Sequence, residues 1–352
     1  MTMKFAYVGC RTTKERNARG RGLKVYRVDG LGRWEEAQLV EGLENPSYLV
    51  FDREEKFLYC VHGDKDYVSS FKIDEESGGL TQIGCAAAGG KNPVFISVDK
   101  GNRRCFVATL QGGKVSTLER LPDGSLSEPV HEAAIPGIEA GSVSYPHQCL
   151  QDVEGNFLIV PIQGRKTGMG ALNLYRIEKD GSLSLSDRRE ARQHDEPRHF
   201  AFHPSNRCGC LINEKGNCVT CFDFDAAAGK ITPKQILSSL PEYYTGEGQA
   251  SAMLIHPGGR FAYASNRIHD SIASYSIDPH TGYLRLLGFT DALGKTPRFM
   301  TFDEKGEKLY VANEDSDTIV EFAIEADSGR PVFTGRTVAA ESPVCVIFTK
   351  ER

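Results

Sequence analysis

Seven similar segments, recurring every 46 to 53 residues, restrict this chain to a repeat architecture before any local structure is assigned. They open at Pro46, Pro93, Pro146, Pro197, Ala250, Pro297 and Pro343, with spacings of 47, 53, 51, 53, 47 and 46. The first six each lead through an apolar stretch to a turn, a second apolar stretch and a more polar strand. Six residues after each of these starts stand Asp52, Asp99, Asp152, His203, His256 and Asp303, in turn sequences such as His-Pro-Ser-Asn. Thirteen residues on stand Tyr59, Phe106, Ile159, Cys210, Tyr263 and Tyr310, a bulky or apolar side chain at one point of the second strand. That offset marks a core position.

The rest of each unit, as in Ser271–Asp278 and the stretch from Gly282, reads as two further strands joined by a glycine-bearing turn. Four strands per unit make a propeller blade. The seventh start, Pro343, leaves room for a single strand before Arg352, whereas the N-terminus supplies three strands with no first strand ahead of them. The pattern therefore predicts an all-β chain, one domain over residues 1–352. Its form is a seven-bladed β-propeller of four-stranded antiparallel blades, with N- and C-terminal strands sharing one blade so that no edge is left open. Long helices are not expected, because no segment keeps apolar residues at helical spacing over several turns.

The 42 basic and 47 acidic residues give a net charge of −5 without a pronounced Lys/Arg run, which argues against a nucleic-acid partner. No 18 apolar residues run together and no signal-like N-terminus is visible, so no membrane partner is expected and the cytoplasm is the expected compartment. In that setting the ten cysteines read as reduced, buried small hydrophobes.

In a four-stranded antiparallel blade the first strand starts on the face where the second strand ends, so two positions per blade share one rim. The position after each start holds Ser47, Val94, His147, Arg198, Ser251, Arg298 and Val344. The position at the end of the second strand holds Gly63, Leu110, Gln163, Glu214, Arg267 and Glu314, to which the closing blade adds Arg11. Sister blades manage with Ser, Val, Gly or Leu, so the architecture does not itself demand charge. The bland alternative is inter-blade ion pairing, such as Glu214 with Arg198 or Arg267. A surplus of guanidinium groups suits a small anion, and Glu214 or His147 beside them offers a base for water next to cations that stabilise an oxyanion. Ester or lactone hydrolysis fits that combination. His199 follows Arg198, and strict strand alternation would turn it away from the site.

Other signals carry less. His203 and His256 fall at turns on the opposite rim, where sister blades use Asp. Cys208, Cys210, Cys218 and Cys221 resemble a metal quartet, but Cys218 and Cys221 lie three apart on a strand and point to opposite faces, so no metal and no cofactor is expected. Gly112-Gly113 and the Gly-rich stretch from Gly164 open no helix and read as loops; the second is expected to border the charged rim.

The segments Tyr-Pro-His147-Gln, Pro-Arg198-His199-Phe-Ala-Phe-His-Pro, Asn-Glu214, Ser-Asn-Arg267-Ile-His-Asp-Ser-Ile-Ala and Pro-Arg298-Phe carry a specific resemblance. Over nearly its whole length the chain resembles the lactonase family of seven-bladed propellers, which includes bacterial 6-phosphogluconolactonase and fungal carboxy-cis,cis-muconate cyclase. The resemblance implies a catalytic set of His147, Arg198, Glu214 and Arg267, with Arg11, Gln163, His199, Arg298 and Glu314 left to bind substrate. It also implies a small anionic sugar lactone as substrate, 6-phosphogluconolactone first. A lactonising cyclase and a non-catalytic interaction propeller are the alternatives. Many relatives place an acidic residue before the His-Pro turn of the fifth blade, where Ala252 stands here. Glu214 is the expected base, with neutral His147 as its rival.

Overall fold

The computed structural model describes residues 3–165 and 170–351 and arranges them as seven four-stranded antiparallel sheets. Six blades are continuous in sequence, spanning 46–87, 93–134, 150–190, 197–238, 249–291 and 297–339. The seventh joins Pro343–Phe348 as its innermost strand to three strands from the N-terminus, Met3–Cys10, Gly22–Asp29 and Trp34–Glu41. Ring closure is an antiparallel ladder that pairs Ala6 with Phe348 and Val8 with Val346 and shifts register between Gly9 and Cys10. Beyond it, Phe5 N–H donates to Thr349 Oγ1 at 2.9 Å. Gly9 lies so close to blade 1 that a Cβ there would sit 2.4 Å from the Pro46 carbonyl oxygen.

Second strands are flanked on both faces and are buried almost end to end, as in Phe261–Arg267, while outer strands such as Pro331–Ala339 are largely exposed. The repeated aromatic does more than fill the gap between blades. Tyr7, Tyr59 and Tyr263 each donate a hydroxyl to a glycine carbonyl in the outer turn of the next blade, Gly78, Gly124 and Gly329, at 2.7–2.9 Å. Each staple satisfies a buried hydroxyl and fixes the angle between neighbours.

The turn residues also have a defined task. Asp52 Oδ1 accepts from the amides of Lys56 and Phe57, and Asp152 Oδ1 accepts from those of Asn156 and Phe157, all within 2.7–2.9 Å. His203 and His256 reach the next blade's turn instead, with Nε2 2.9 and 3.0 Å from the carbonyls of Gly259 and Gly306.

Blade 3 departs from the regular register. Its innermost strand shrinks to Leu150–Gln151, with only an isolated bridge between Pro146 and Ile162 above it. Pro161, in the second strand, has no N–H to give the ladder, and its carbonyl takes the His147 amide at 2.9 Å. His147 therefore sits on irregular backbone.

Candidate active site

A second irregularity positions the arginines. The pairing register slips between Pro46 and Tyr48, Pro93 and Phe95, Pro197 and His199, and Pro297 and Phe299, so Ser47, Val94, Arg198 and Arg298 are bulge residues. A β-bulge re-aims side chains at a sheet end. The bulge at Arg198 also interrupts the alternation that alone would turn His199 to the opposite side. The ring of His199 lies 5.2 Å from that of His147, edge to face, and 6.0 Å from that of Phe95.

Glu214 ends the second strand of blade 4 and is almost completely buried. Its Oε2 lies 3.1 Å from Arg198 Nε and its Oε1 lies 3.0 Å from Arg267 Nη2. Gln163 and Gln249 add amide donors, one to each oxygen, both at 2.7 Å. Burial alone would raise this carboxyl's pKa, but Arg267, Arg198 and Arg298 outweigh it and hold the group far below the usual carboxylate range. The arginines are pinned from behind by blade 5. Arg198 Nη1 donates to the Ser251 carbonyl at 2.7 Å, and Arg267 Nη2 to that of Ala250 at 2.9 Å. The approach of Arg198 Nε to Glu214 is off the line of a hydrogen bond, so that contact is an ion pair only.

His147 has the opposite character. Burial first, then Arg198, His199 and Arg298, push its pKa well below 6.5, which leaves the imidazole neutral at pH 7. Its Nδ1 is buried without a hydrogen-bond partner among the described residues.

On the far side of the cluster Arg298 Nη1 lies 3.5 Å from Glu314 Oε2, and Arg11 Nε lies 3.8 Å from Glu314 Oε1. All nine residues expected at this rim thus lie at its two linked halves. His147, Gln163, Arg198, His199, Glu214 and Arg267 form one; Arg11, Arg298 and Glu314 form the other.

Sequence reasoning passed over Gln249 and Arg165. Gln249 precedes the blade 5 start by one residue, and a polar side chain there was the available signal. Arg165 donates to Gln163 Oε1 from Nε at 2.9 Å and Nη2 at 2.6 Å, and lies 5.2 Å from the Tyr145 ring centre. The loop from Gly164 thereby meets the rim at Arg165, and residues 166–169 lie outside the described residues. Of the cysteines, Cys210 and Cys221 sit side by side with sulfurs 3.5 Å apart, while Cys218 accepts from Arg192. Among the described residues no three His, Cys, Asp or Glu side chains are grouped to hold a metal ion.

A cavity of about 1040 Å³ opens on the opposite face, where Asp52, Asp152 and Asp303 stand, and runs up the centre to His199. Its wall includes Tyr48, Phe95, Met253 and Phe299. Tyr48 packs 4.2 Å from Phe95 and 6.0 Å from Phe299, which places an aromatic floor beneath the charged rim.

Among the described residues no helix is long and apolar enough to cross a membrane. The family model described as "Lactonase, 7-bladed beta-propeller" matches residues 5–348. The chain is 31% identical to the 6-phosphogluconolactonase of Bacillus subtilis over 89% of its own length and 90% of the relative's. It is 27% identical to that of Klebsiella pneumoniae over 92% and 95%. Among solved structures, the periplasmic gluconolactonase of Pseudomonas aeruginosa superposes with a TM-score of 0.88 at 26% identity, covering 99% of each chain. Matched along nearly its entire length by the family model and by a relative above 30% identity, the chain belongs to the lactonase family of seven-bladed β-propellers.

Proposed function

We propose that this protein hydrolyses a small anionic aldonolactone, with 6-phosphogluconolactone the first candidate. The observation that carries the reading is a neutral imidazole, its Nδ1 without a hydrogen-bond partner among the described residues, in the field of two arginines that are held by one carboxylate. Relatives named 6-phosphogluconolactonase and a structural neighbour named gluconolactonase support the same substrate class.

The roles follow from hydrogen-bonding capacity. Glu214 is a poor base because each oxygen accepts an amide hydrogen bond and faces an arginine, and its proton affinity is depressed. It acts as a positioning residue that neutralises and aims Arg198 and Arg267. His147 takes the proton from water, and the resulting hydroxide oxygen bonds to the lactone carbonyl carbon. Arg198 and Arg267 hold the oxyanion. When the carbonyl re-forms, the ring C–O bond breaks and the departing alkoxide takes the proton back from the His147 imidazolium, giving the open-chain acid.

The low basicity of His147 in the free protein is part of this scheme. Besides burial, Arg198, His199, Arg298 and Arg165 all depress it, and a bound anion offsets the arginines among them, raising the imidazole's proton affinity when substrate is present. All ten cysteines are free thiols, which supports action in a reducing cytoplasm.

A panel of δ- and γ-lactones, phosphorylated and unphosphorylated, assayed by proton release beside loss of muconate absorbance, tests the proposal. Proton release from aldonolactones is expected. Turnover confined to the muconate, or none at all, would refute it.

A further inference from the structure

The two halves of the rim differ in how well their arginines are satisfied. Arg198 and Arg267 each donate to a backbone carbonyl and touch Glu214 at 3.0–3.1 Å. Arg11 and Arg298 share Glu314 at 3.8 and 3.5 Å, and among the described residues neither guanidinium donates a hydrogen bond. Arg11 is only 4% exposed, and its Nε and Nη1 are buried without hydrogen-bond partners among the described residues. Burial, then repulsion from Arg298, lowers its pKa to about 9, so it stays charged at neutral pH at an electrostatic cost.

The wall around Arg11 is shaped to admit it. Gly63 occupies the blade 1 position whose counterparts are Glu214 and Arg267, and a Cβ there would lie 2.5 Å from Arg11 Nη1 and 3.1 Å from Ser47 Oγ. Ser47 Oγ is itself buried and unpartnered. The second nearby carboxylate, Asp64, lies 3.9 Å from Arg11 and is engaged by Arg16, whose Nε donates to it at 2.8 Å. Two cations facing one carboxylate leave a positive charge unmatched, and the Arg298 side chain, 23% exposed, opens it to solvent.

We infer that Arg11, Ser47 and Arg298 form a second anion subsite that receives the phosphoryl group of a phosphorylated aldonolactone while Arg198 and Arg267 address its carbonyl. The inference rests on the lactonase reading above and assigns the discrimination between phosphorylated and plain sugars to blades 1, 6 and the closing blade. A phosphoryl group brings three acceptor oxygens to donors that now have none, and a guanidinium binds two of them in parallel. Glu314 stays between the two arginines and holds them apart in the empty site.

The test compares 6-phosphogluconolactone with δ-gluconolactone in kcat/KM, and 6-phosphogluconate, gluconate and inorganic phosphate in calorimetric affinity, for the native protein, Arg11→Gln, Arg298→Gln and Gly63→Ala. The native protein is expected to favour the phosphorylated member of each pair. Each substitution is expected to cut that preference about 10- to 100-fold. Gly63→Ala matters because it displaces the Arg11 guanidinium without deleting its charge, and Arg298→Gln because a partly exposed side chain is tolerated by the fold. An unchanged preference in folded variants overturns the subsite, as does gluconate binding as tightly as 6-phosphogluconate. A protein that prefers the phosphorylated acid but opens no lactone refutes the proposed function and leaves the subsite standing. One that opens lactones without any phosphate preference does the reverse.

Discussion

Replacing Glu214 by Gln and His147 by Gln should injure the protein in different ways, and the contrast tests the assignment of roles. Glu214→Gln keeps the side chain's size but removes the one carboxylate that Arg198 and Arg267 share at 3.0–3.1 Å. Leaving buried charges uncompensated costs about 3–5 kcal/mol. For a chain of 352 residues, an unfolding entropy of about 2.1 cal/mol/K per residue translates this into a fall in Tm of roughly 4–7 °C. His147→Gln replaces one neutral group by another and should shift Tm by less than about 2 °C, while kcat falls roughly 10²–10⁴-fold if the imidazole moves the proton. The pH profile separates the two more sharply than the size of either loss. In the native protein the acid limb of kcat/KM reports His147 in the free enzyme and should lie well below pH 6.5, and the limb of kcat should lie higher, because bound anion offsets the arginines. Glu214→Gln should retain an acid limb, and His147→Gln should lose it. Differential scanning calorimetry and pH–rate profiles of both variants provide the measurement. An acid limb that persists in His147→Gln and vanishes in Glu214→Gln would return the base to Glu214 and refute the argument from saturated hydrogen bonding.

Two further outcomes concern stability. Ile268 follows Arg267 with φ +75°, a left-handed conformation that a β-branched residue adopts at a cost of about 1–2 kcal/mol, whereas the matching positions in blades 1 and 3 hold Asp64 and Gly164 at φ +70°. Ile268→Asn should therefore raise stability by about 1 kcal/mol in chemical denaturation, and a loss would show that packing of the isoleucine outweighs its backbone strain. His62 is buried between Glu44 O and Ser69 Oγ, and burial lowers its pKa to about 4, so the unfolded chain takes up this proton first as pH falls. Its contribution is present above pH 6.5 and shrinks by about 2 kcal/mol by pH 5, above the range where Glu214 or other carboxylates would titrate on unfolding; an unfolding midpoint that stays flat between pH 7 and 5 would contradict it.

The ring was legible in the sequence because each blade must solve the same two local problems. The tight turn after the innermost strand needs a side-chain acceptor for its amides, hence Asp52, Asp99, Asp152 and Asp303. The second strand needs a large group against its neighbour, hence Tyr59, Phe106, Tyr263 and Tyr310. Both demands recur at fixed offsets, so they survive divergence of everything between them. The rim positions were legible for a related reason: sister blades fill them with Ser, Val or Gly, and charge stood out against that background. The backbone irregularities were hidden. A bulge at Arg198 leaves no mark in residue type, so alternation along the strand is no guide to His199. The shortened innermost strand of blade 3 depends on Pro161 lying across from it, a pairing visible only once the register is known. The positioning role proposed for Glu214 rests on Gln163 and Gln249, whose hydrogen bonds to its oxygens no residue pattern announces.

The division of labour between ring and rim follows from these placements. One carboxylate, Glu214, is held by groups from three successive blades: Gln163 from blade 3, Arg198 from its own, and Gln249 and Arg267 from blade 5. A small relative rotation of those blades would break several of these contacts together, and the Tyr-to-Gly staples and the ladder between Met3–Cys10 and Pro343–Phe348 oppose such rotation. The rigidity is needed because the rim is electrostatically unfavourable by itself. Arg11, Arg198, Arg267 and Arg298 share Glu214 and Glu314, with Asp64 3.9 Å from Arg11 and engaged by Arg16, and three of the four arginines are almost wholly buried. A looser scaffold would relax by turning the guanidinium groups toward water. Held in place, they keep an unmet demand for negative charge that an anionic substrate supplies, so the free energy stored as strain in the empty site returns as binding energy at the atoms where the reaction develops charge. Because each blade contributes only one or two side chains at its bulge and at the end of its second strand, the chemistry of one half of the rim can change without disturbing the strands beneath it.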